Sequence, residues 1–316
     1  MSAMESTNPF INRMKTWSLM AVLVAMFVAI GGLLGGQTGM LIALVFALGL
    51  NFAAFWFSDT LALKANGARP VEPEELPEVR EMVGRLSARA GIPGPRLYLM
   101  DRPEPNAFAT GRSPSHSAIA VTSGIVEMLD RRQLEAVLAH ELMHVKNRDT
   151  LVGTVAAAFG GAISWLAQMA MFSMLFGGDE EGNGNPLTLI GAIVLAPIAA
   201  MIVQLAVSRG REYMADSTGA TLTGDPDGLA QALEKLDAYA QEHSMTARLR
   251  GRGRRDQTDT GANPAFNHLY ITNQLFGERA GNLFSTHPPI AKRVARLRSM
   301  RPGKSSTLGR LDTLSR

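Results

Sequence analysis

Asp130-Arg131-Arg132-Gln133-Leu134-Glu135-Ala136-Val137-Leu138-Ala139-His140-Glu141-Leu142-Met143-His144-Val145 is the stretch on which the reading of this chain turns. It predicts one helix: Asp130 is a good N-cap, Gln133 follows in the capping-box position, and Leu134, Val137, Leu138 and Val145 supply a packing face. On that helix lies a His-Glu-x-x-His pentapeptide. Histidines at i and i+4 stand one turn apart on the same face, close enough for both imidazoles to bind one cation. Glu141 sits beside them, able to reach a water on that cation without being a ligand. Zinc lowers the pKa of such a water to about 7, and a carboxylate can take its proton as it attacks a carbonyl. The bland alternative is a pair of solvated surface histidines, but the chain has only 6 His in 316 residues, so this spacing is not a common accident.

Catalytic zinc needs three protein ligands and one open position. The other four histidines and the carboxylates are all candidates for the third. The most suggestive is Glu212, in Ser208-Arg209-Gly210-Arg211-Glu212-Tyr213-Met214-Ala215-Asp216. If that segment is helical, Glu212 and Asp216 are also i, i+4 neighbours. Asp216 could then orient a ligand imidazole by accepting its free ring N–H. A lone Glu in this setting is otherwise an ordinary solvated residue.

What lies between and before these motifs decides the class of protein. No Asp, Glu, Lys or Arg occurs over the 43 residues Thr16–Ser58, the 29 residues Thr150–Gly178 or the 27 residues Gly182–Ser208. A bilayer span needs roughly 20 mostly apolar residues, and a soluble core has no need of such runs, so an ordinary soluble enzyme is excluded. The first run suits two spans, Leu19–Leu34 and Met40–Phe57, divided by Gly35-Gly36-Gln37-Thr38-Gly39, with Trp17 and Trp56 at interfacial positions. A cleaved signal peptide is the alternative for the first segment, but its apolar run is longer than a usual signal core and another follows at once. The later runs predict a second hairpin near Leu151–Phe176 and Leu187–Val207, joined through residues 177–186. Of the 31 Lys and Arg, 2 precede the first span, 12 lie between the hairpins and 17 follow the last, with none in either hairpin loop. The positive-inside rule therefore makes both termini and the middle segment cytoplasmic. The pI of about 9.4 is then topology, and no nucleic-acid partner is expected. A chain without cysteine builds no disulfide framework and no thiol nucleophile.

This topology also supplies a geometric check. The helix of His140 and His144 ends just before the third span, and Glu212 follows just after the fourth. An antiparallel span pair returns the chain to the face it left, so the three residues can converge. The expected organisation is residues 1–58 (N-terminal tail and first hairpin), 59–150 (catalytic part with the His-Glu-x-x-His helix), 151–207 (second hairpin) and 208–316 (catalytic part with the third ligand). Within the catalytic parts, Val71–Ala90 predicts a helix entered through Pro73 and Pro77. Arg96–Met100, Asn106–Thr110 and Ser117–Thr122 predict strands, with a turn at residues 111–115. Gly224–His243 and Pro289–Met300 predict helices, the second of them basic. Ser244–Asn263, rich in Arg and Gly, predicts a loop.

Taken together these motifs resemble the HtpX family of membrane-bound zinc metalloproteases, relatives of the prenyl-protein proteases. The resemblance covers nearly the whole chain: two hydrophobic hairpins, His-Glu-Leu-Met-His before the second, Ser-Arg-x-x-Glu-Tyr-x-Ala-Asp after it, Pro105–Gly111, and Ser285-Thr286-His287-Pro288-Pro289. It implies one zinc at His140, His144 and Glu212, Glu141 as general base, and a cytoplasmic site in a bacterial inner membrane. It also implies polypeptide substrates, in the clearance of damaged or misfolded membrane proteins. The expected fold is α+β and predominantly helical, a polytopic membrane protein with four transmembrane helices in two hairpins and a cytoplasmic zincin-like domain with a small β-sheet. Asn106–Thr110 would be an edge strand near the zinc, holding an extended substrate by strand addition with Asn106 fixing a peptide group; otherwise Asn106 is a turn residue at a strand start. His287 could donate to the oxyanion of the tetrahedral intermediate; otherwise it caps the following helix. His268 and Tyr270 read as packing or surface residues, and His116 and His243 as solvated. No acyl-enzyme is expected. The rivals are a narrow-specificity processing protease, a scaffold or chaperone with a structural metal, and a transporter, whose spans would carry ionisable residues along an ion path.

Overall fold

The computed structural model describes residues 9–153, 155, 159, 162, 209–250 and 288–300. It is predominantly helical, with one small mixed sheet. Helix α1 (Pro9–Trp56) runs 48 residues, yet it is not one rod. Gly36 sits at φ +59°, a left-handed conformation open to glycine, and there the chain reverses. The arms then lie side by side. Gly31 faces Gly39 so closely that a Cβ on Gly31 would come within 2.4 Å of the Gly39 carbonyl oxygen. Further out, Phe27 stacks on Phe46 at 5.9 Å and Trp17 on Phe55 at 6.3 Å. Asn51 Nδ2 donates to the Met20 carbonyl at 3.4 Å. Among the described residues, Gly36–Trp56 is the one stretch long and apolar enough to cross a membrane, with a shorter apolar stretch, Met20–Ala29, in the opposing arm. Leu151, Val152, Val155 and Phe159, at the start of the expected second hairpin, pack against Met20, Leu23 and Phe27. The rest of that hairpin lies outside the described residues.

Beyond α1 come α2 (Ser58–Ala65), β1 (Arg69–Pro70), α3 (Pro77–Ala90), β2 (Arg96–Met100), β3 (Ala107–Ser113), β4 (His116–Thr122), α4 (Ser123–Met128) and α5 (Arg131–Asn147). They are followed by α6 (Arg209–Thr223), α7 (Pro226–Arg250) and α8 (Ile290–Ser299). The sheet order is β1-β2-β4-β3, parallel between β2 and β4 and otherwise antiparallel, so β3 is an edge. Its two faces follow the period-2 alternation of strands. Leu97, Leu99, Ala107, Ala109, Ile119 and Val121 face the main core, which α3, α5, α6, α7 and α8 complete. Phe108, Met100, Ala118 and Ala120 pack on Ala62 and Leu63 of α2.

Three boundaries differ from expectation. The helix predicted over Val71–Ala90 starts only at Pro77: Val71 N–H is taken by the Leu97 carbonyl at 3.2 Å, and the residue before each proline is kept out of the α region. Strand β3 runs on through Gly111, whose φ of +129° accommodates an irregularity in the pairing, so the turn narrows. The loop predicted from Ser244 begins later, because α7 continues to Arg250; Met245, Ala247, Arg248 and Leu249 are good helix formers, and the first breaker is Gly251. Residues 251–263 lie outside the described residues.

Candidate active site

Helix α5 begins as its sequence dictates. Asp130 accepts from Gln133 N–H at 2.9 Å, and Gln133 Oε1 accepts from Asp130 N–H at 3.3 Å, both halves of a capping box. It ends at Arg148, which caps it in the left-handed conformation at φ +62°. Between these ends the 3.6-residue period sets His140 and His144 on one face, rings 4.8 Å apart between centroids and nearly perpendicular. Their Nε2 atoms converge at 3.2 Å. Each Nδ1 is turned away toward a carboxylate: Asp216 lies 3.1 Å from His140 Nδ1 and Asp149 3.2 Å from His144 Nδ1.

Helix α6 crosses α5 at Gly219, where an added Cβ would lie 3.0 Å from the His140 backbone nitrogen. That close approach brings Glu212 in. Its carboxylate oxygens stand 3.4 Å from His144 Nε2 and 3.8 Å from His140 Nε2. His140, His144 and Glu212 thus offer one donor atom each, all within 4.8 Å of one another. Donors bound tetrahedrally at about 2.0–2.1 Å stand about 3.3–3.4 Å apart. The two shortest of these separations fit that edge closely. The donor set is two imidazoles and a carboxylate, with an acid beside each imidazole's second nitrogen, so the residues present fit zinc.

Glu141 is buried, and its Oε2 accepts from the Ala109 N–H of β3 at 2.9 Å. Burial raises its pKa, against the opposing pull of His140 and His144. His144 is pushed down by burial but up by Asp149 and the neighbouring Glu212 and Glu141 carboxylates, which win and carry it to about 9. Burial would lift Asp216, yet Arg293 and His140 hold it at about 2.

Arg293, from α8, is fully buried. It grips Asp216 with two hydrogen bonds of 2.8 and 2.7 Å and stands 3.5 Å from Glu212. Neither Arg293 nor Asp149 was singled out in the sequence. A signal for the arginine existed: Ile290, Val294 and Leu297 mark the buried stripe of α8, and Arg293 occupies a position on it. For Asp149 the only cue was an acid just past the end of a His-bearing helix.

The structure therefore brings together His140, Glu141, His144, Glu212 and Asp216. Asn106 is buried immediately before β3. Its backbone pairs with Thr122, while its Nδ2 finds no partner among the described residues. His287, His268 and Tyr270 lie outside the described residues. His116 and His243 are exposed, as expected, His243 stacking on Tyr239.

A helix-borne histidine pair, a buried glutamate between them, a carboxylate from a second helix and an edge strand alongside make up the arrangement of a metallopeptidase. Residues 73–301 match Peptidase family M48, and the chain belongs to that family. It is 48% identical to a "Protease HtpX homolog" of Pelotomaculum thermopropionicum, over 92% of this chain and 99% of that one. It is 45% identical to the "Protease HtpX homolog" of Desulforapulum autotrophicum, over 96% and 93%. The crystal structure of S. mikatae Ste24p superposes with a TM-score of 0.48 at 19% identity. That comparison covers 92% of this chain but 66% of the other, just under two-thirds of its length.

Proposed function

We propose that this protein is a membrane-bound zinc endopeptidase that hydrolyses polypeptides at the cytoplasmic face of a bacterial inner membrane, acting on misfolded or damaged membrane proteins. In this reading His140, His144 and Glu212 hold the zinc. Residues 1–58 and 151–207 form the two membrane hairpins, and 59–150 with 208–316 the catalytic body. The observation that carries it is the buried convergence of those three donor groups beside Glu141. A buried ionic cluster is costly unless every charge is used, and a bound dication gives these carboxylates their purpose.

When bound, zinc supplies Lewis-acid polarisation of the scissile carbonyl and acidifies water. The chain's own residues do the rest. Asp216 and Asp149 fix the ring orientation of the two histidines, and Arg293 fixes Asp216. Glu141, kept dry and raised in pKa, takes the proton of the attacking water and returns it to the leaving amine. An extended polypeptide laid along the outer edge of β3 would compete with Glu141 for the Ala109 N–H, so substrate entry would release the carboxylate for its work as base. Asn106 Nδ2, at the head of the same strand, would bind a substrate carbonyl, and His287 would donate to the oxyanion.

Metal analysis of the purified full chain tests the ligand set. Glu212→Ala should lose most of its zinc while keeping its helical content; a normal zinc content in that variant would remove Glu212 from the metal.

A further inference from the structure

A cavity of about 450 Å³ lies away from the histidine pair, where the base of the α1 hairpin meets the β3–β4 turn. One wall is apolar and belongs to the hydrophobic segments: Trp17, Phe55 and Leu151. The other is formed by Arg112 and Arg148 with Ser113, Ser115 and His116. Among the described residues no carboxylate lines it. Arg112 is fixed at this level, donating to the Trp56 carbonyl at 3.1 Å and lying 4.8 Å over the Trp56 ring.

We infer that this cavity is a binding site for an anionic phospholipid, with the phosphodiester between Arg112 and Arg148 and the acyl chains running along the hairpin wall. The inference rests on the reading that the α1 hairpin lies in the membrane. Charge and shape together select the occupant. A free phosphate would leave the Trp17–Phe55 wall bare, and a zwitterionic headgroup would bring an amine to a site whose described lining holds two arginines and no acid. Serine and imidazole groups suit phosphate or glycerol oxygens. The site also touches the catalytic machinery through three consecutive residues. Arg148 lines the cavity, Asp149 holds His144 Nδ1 at 3.2 Å, and Thr150 Oγ1 donates to the Gly111 carbonyl at the turn carrying Arg112, at 2.9 Å. A headgroup held here tightens the segment that orients a histidine of the candidate metal site.

Native mass spectrometry of the full chain in detergent, titrated with phosphatidylglycerol, phosphatidylethanolamine or free glycerol phosphate, tests the proposal. One phosphatidylglycerol should bind in preference to phosphatidylethanolamine. Arg112→Gln/Arg148→Gln should weaken it about 25-fold, at about 5-fold per arginine. Equal retention of the two lipids, or unchanged phosphatidylglycerol binding in the double variant, would overturn it, and so would displacement of the lipid by glycerol phosphate alone. Labelling of Val45→Cys with a water-soluble maleimide in vesicles separates this from the membrane reading. A protected cysteine without lipid selectivity sinks the lipid site alone, whereas a labelled cysteine sinks both.

Discussion

The α1 hairpin and the catalytic body are built in opposite senses. On the hairpin the large apolar side chains point outward: Leu41, Ile42 and Phe52 are each more than 60% exposed, while Asn51 is buried and bonds to the opposite arm. In the body the apolar side chains are inside, Leu138 and Leu142 being wholly buried, and charge belongs on the surface. One cluster breaks the second pattern: Glu141, Glu212, Asp216, His140 and Arg293 are all nearly inaccessible. Burial of a given residue type therefore has meaning only against its local solvent. In the proposed reading, apolar side chains outside mark a lipid-facing surface, and charges inside a water-facing body mark chemistry.

Substitutions should cost most in the ionic cluster. Arg293→Met removes the guanidinium that grips the buried Asp216 carboxylate with two hydrogen bonds and should cost about 3–5 kcal/mol, read as a lower unfolding midpoint in denaturant. A variant of unchanged stability would mean that Arg293 is dispensable to the cluster. Next comes a matched pair of truncations. Leu138→Ala in the body should cost about 2–5 kcal/mol, whereas Leu41→Ala on the hairpin exterior should change stability in detergent by no more than about 0.5 kcal/mol. Equal costs would erase the distinction between the two regions.

The smallest effect is at the surface of the body. Asp225 caps α7 through the Gly228 N–H at 3.0 Å and pairs with Arg132. Arg132 lowers its pKa, chiefly by hydrogen bonding. A lowered folded pKa means that the charge stabilises above the ordinary carboxylate range and that this stabilisation is lost as pH falls through the folded value. Asp225→Asn keeps a capping side chain but not the charge. It should therefore cost about 0.2–1 kcal/mol at neutral pH and nothing in strong acid. A gap between the two proteins that stayed constant with pH would exclude the charge as its cause.

Much of this was legible in the sequence because the signals are local. The capping box at Asp130, the i, i+4 histidines and the strand Arg96–Met100 need only nearest neighbours, and they appear as read. The convergence of Glu212 was legible for a different reason: an antiparallel span pair was expected between α5 and α6, and such a pair would return the chain to the end of α5, where Glu212 stands beside both histidines. Arg293 was legible only in outline: its place on the Ile290, Val294 and Leu297 stripe signals burial, but a basic residue on a basic helix also signals solvent, and contacts with α6 and α7 decide between them. The start of α3 at Pro77 was missed because Val71 is claimed by a strand distant in sequence.

In the proposed mechanism Glu141 is the base beside a zinc held by His140, His144 and Glu212. Zinc content and chelator-sensitive cleavage of an unfolded protein, measured on the purified chain beside Glu141→Gln, test it most directly. One zinc per chain is expected in both proteins, with a loss of cleavage in the variant of about 10²–10⁴-fold. Undiminished cleavage by Glu141→Gln, with its zinc intact, would contradict it.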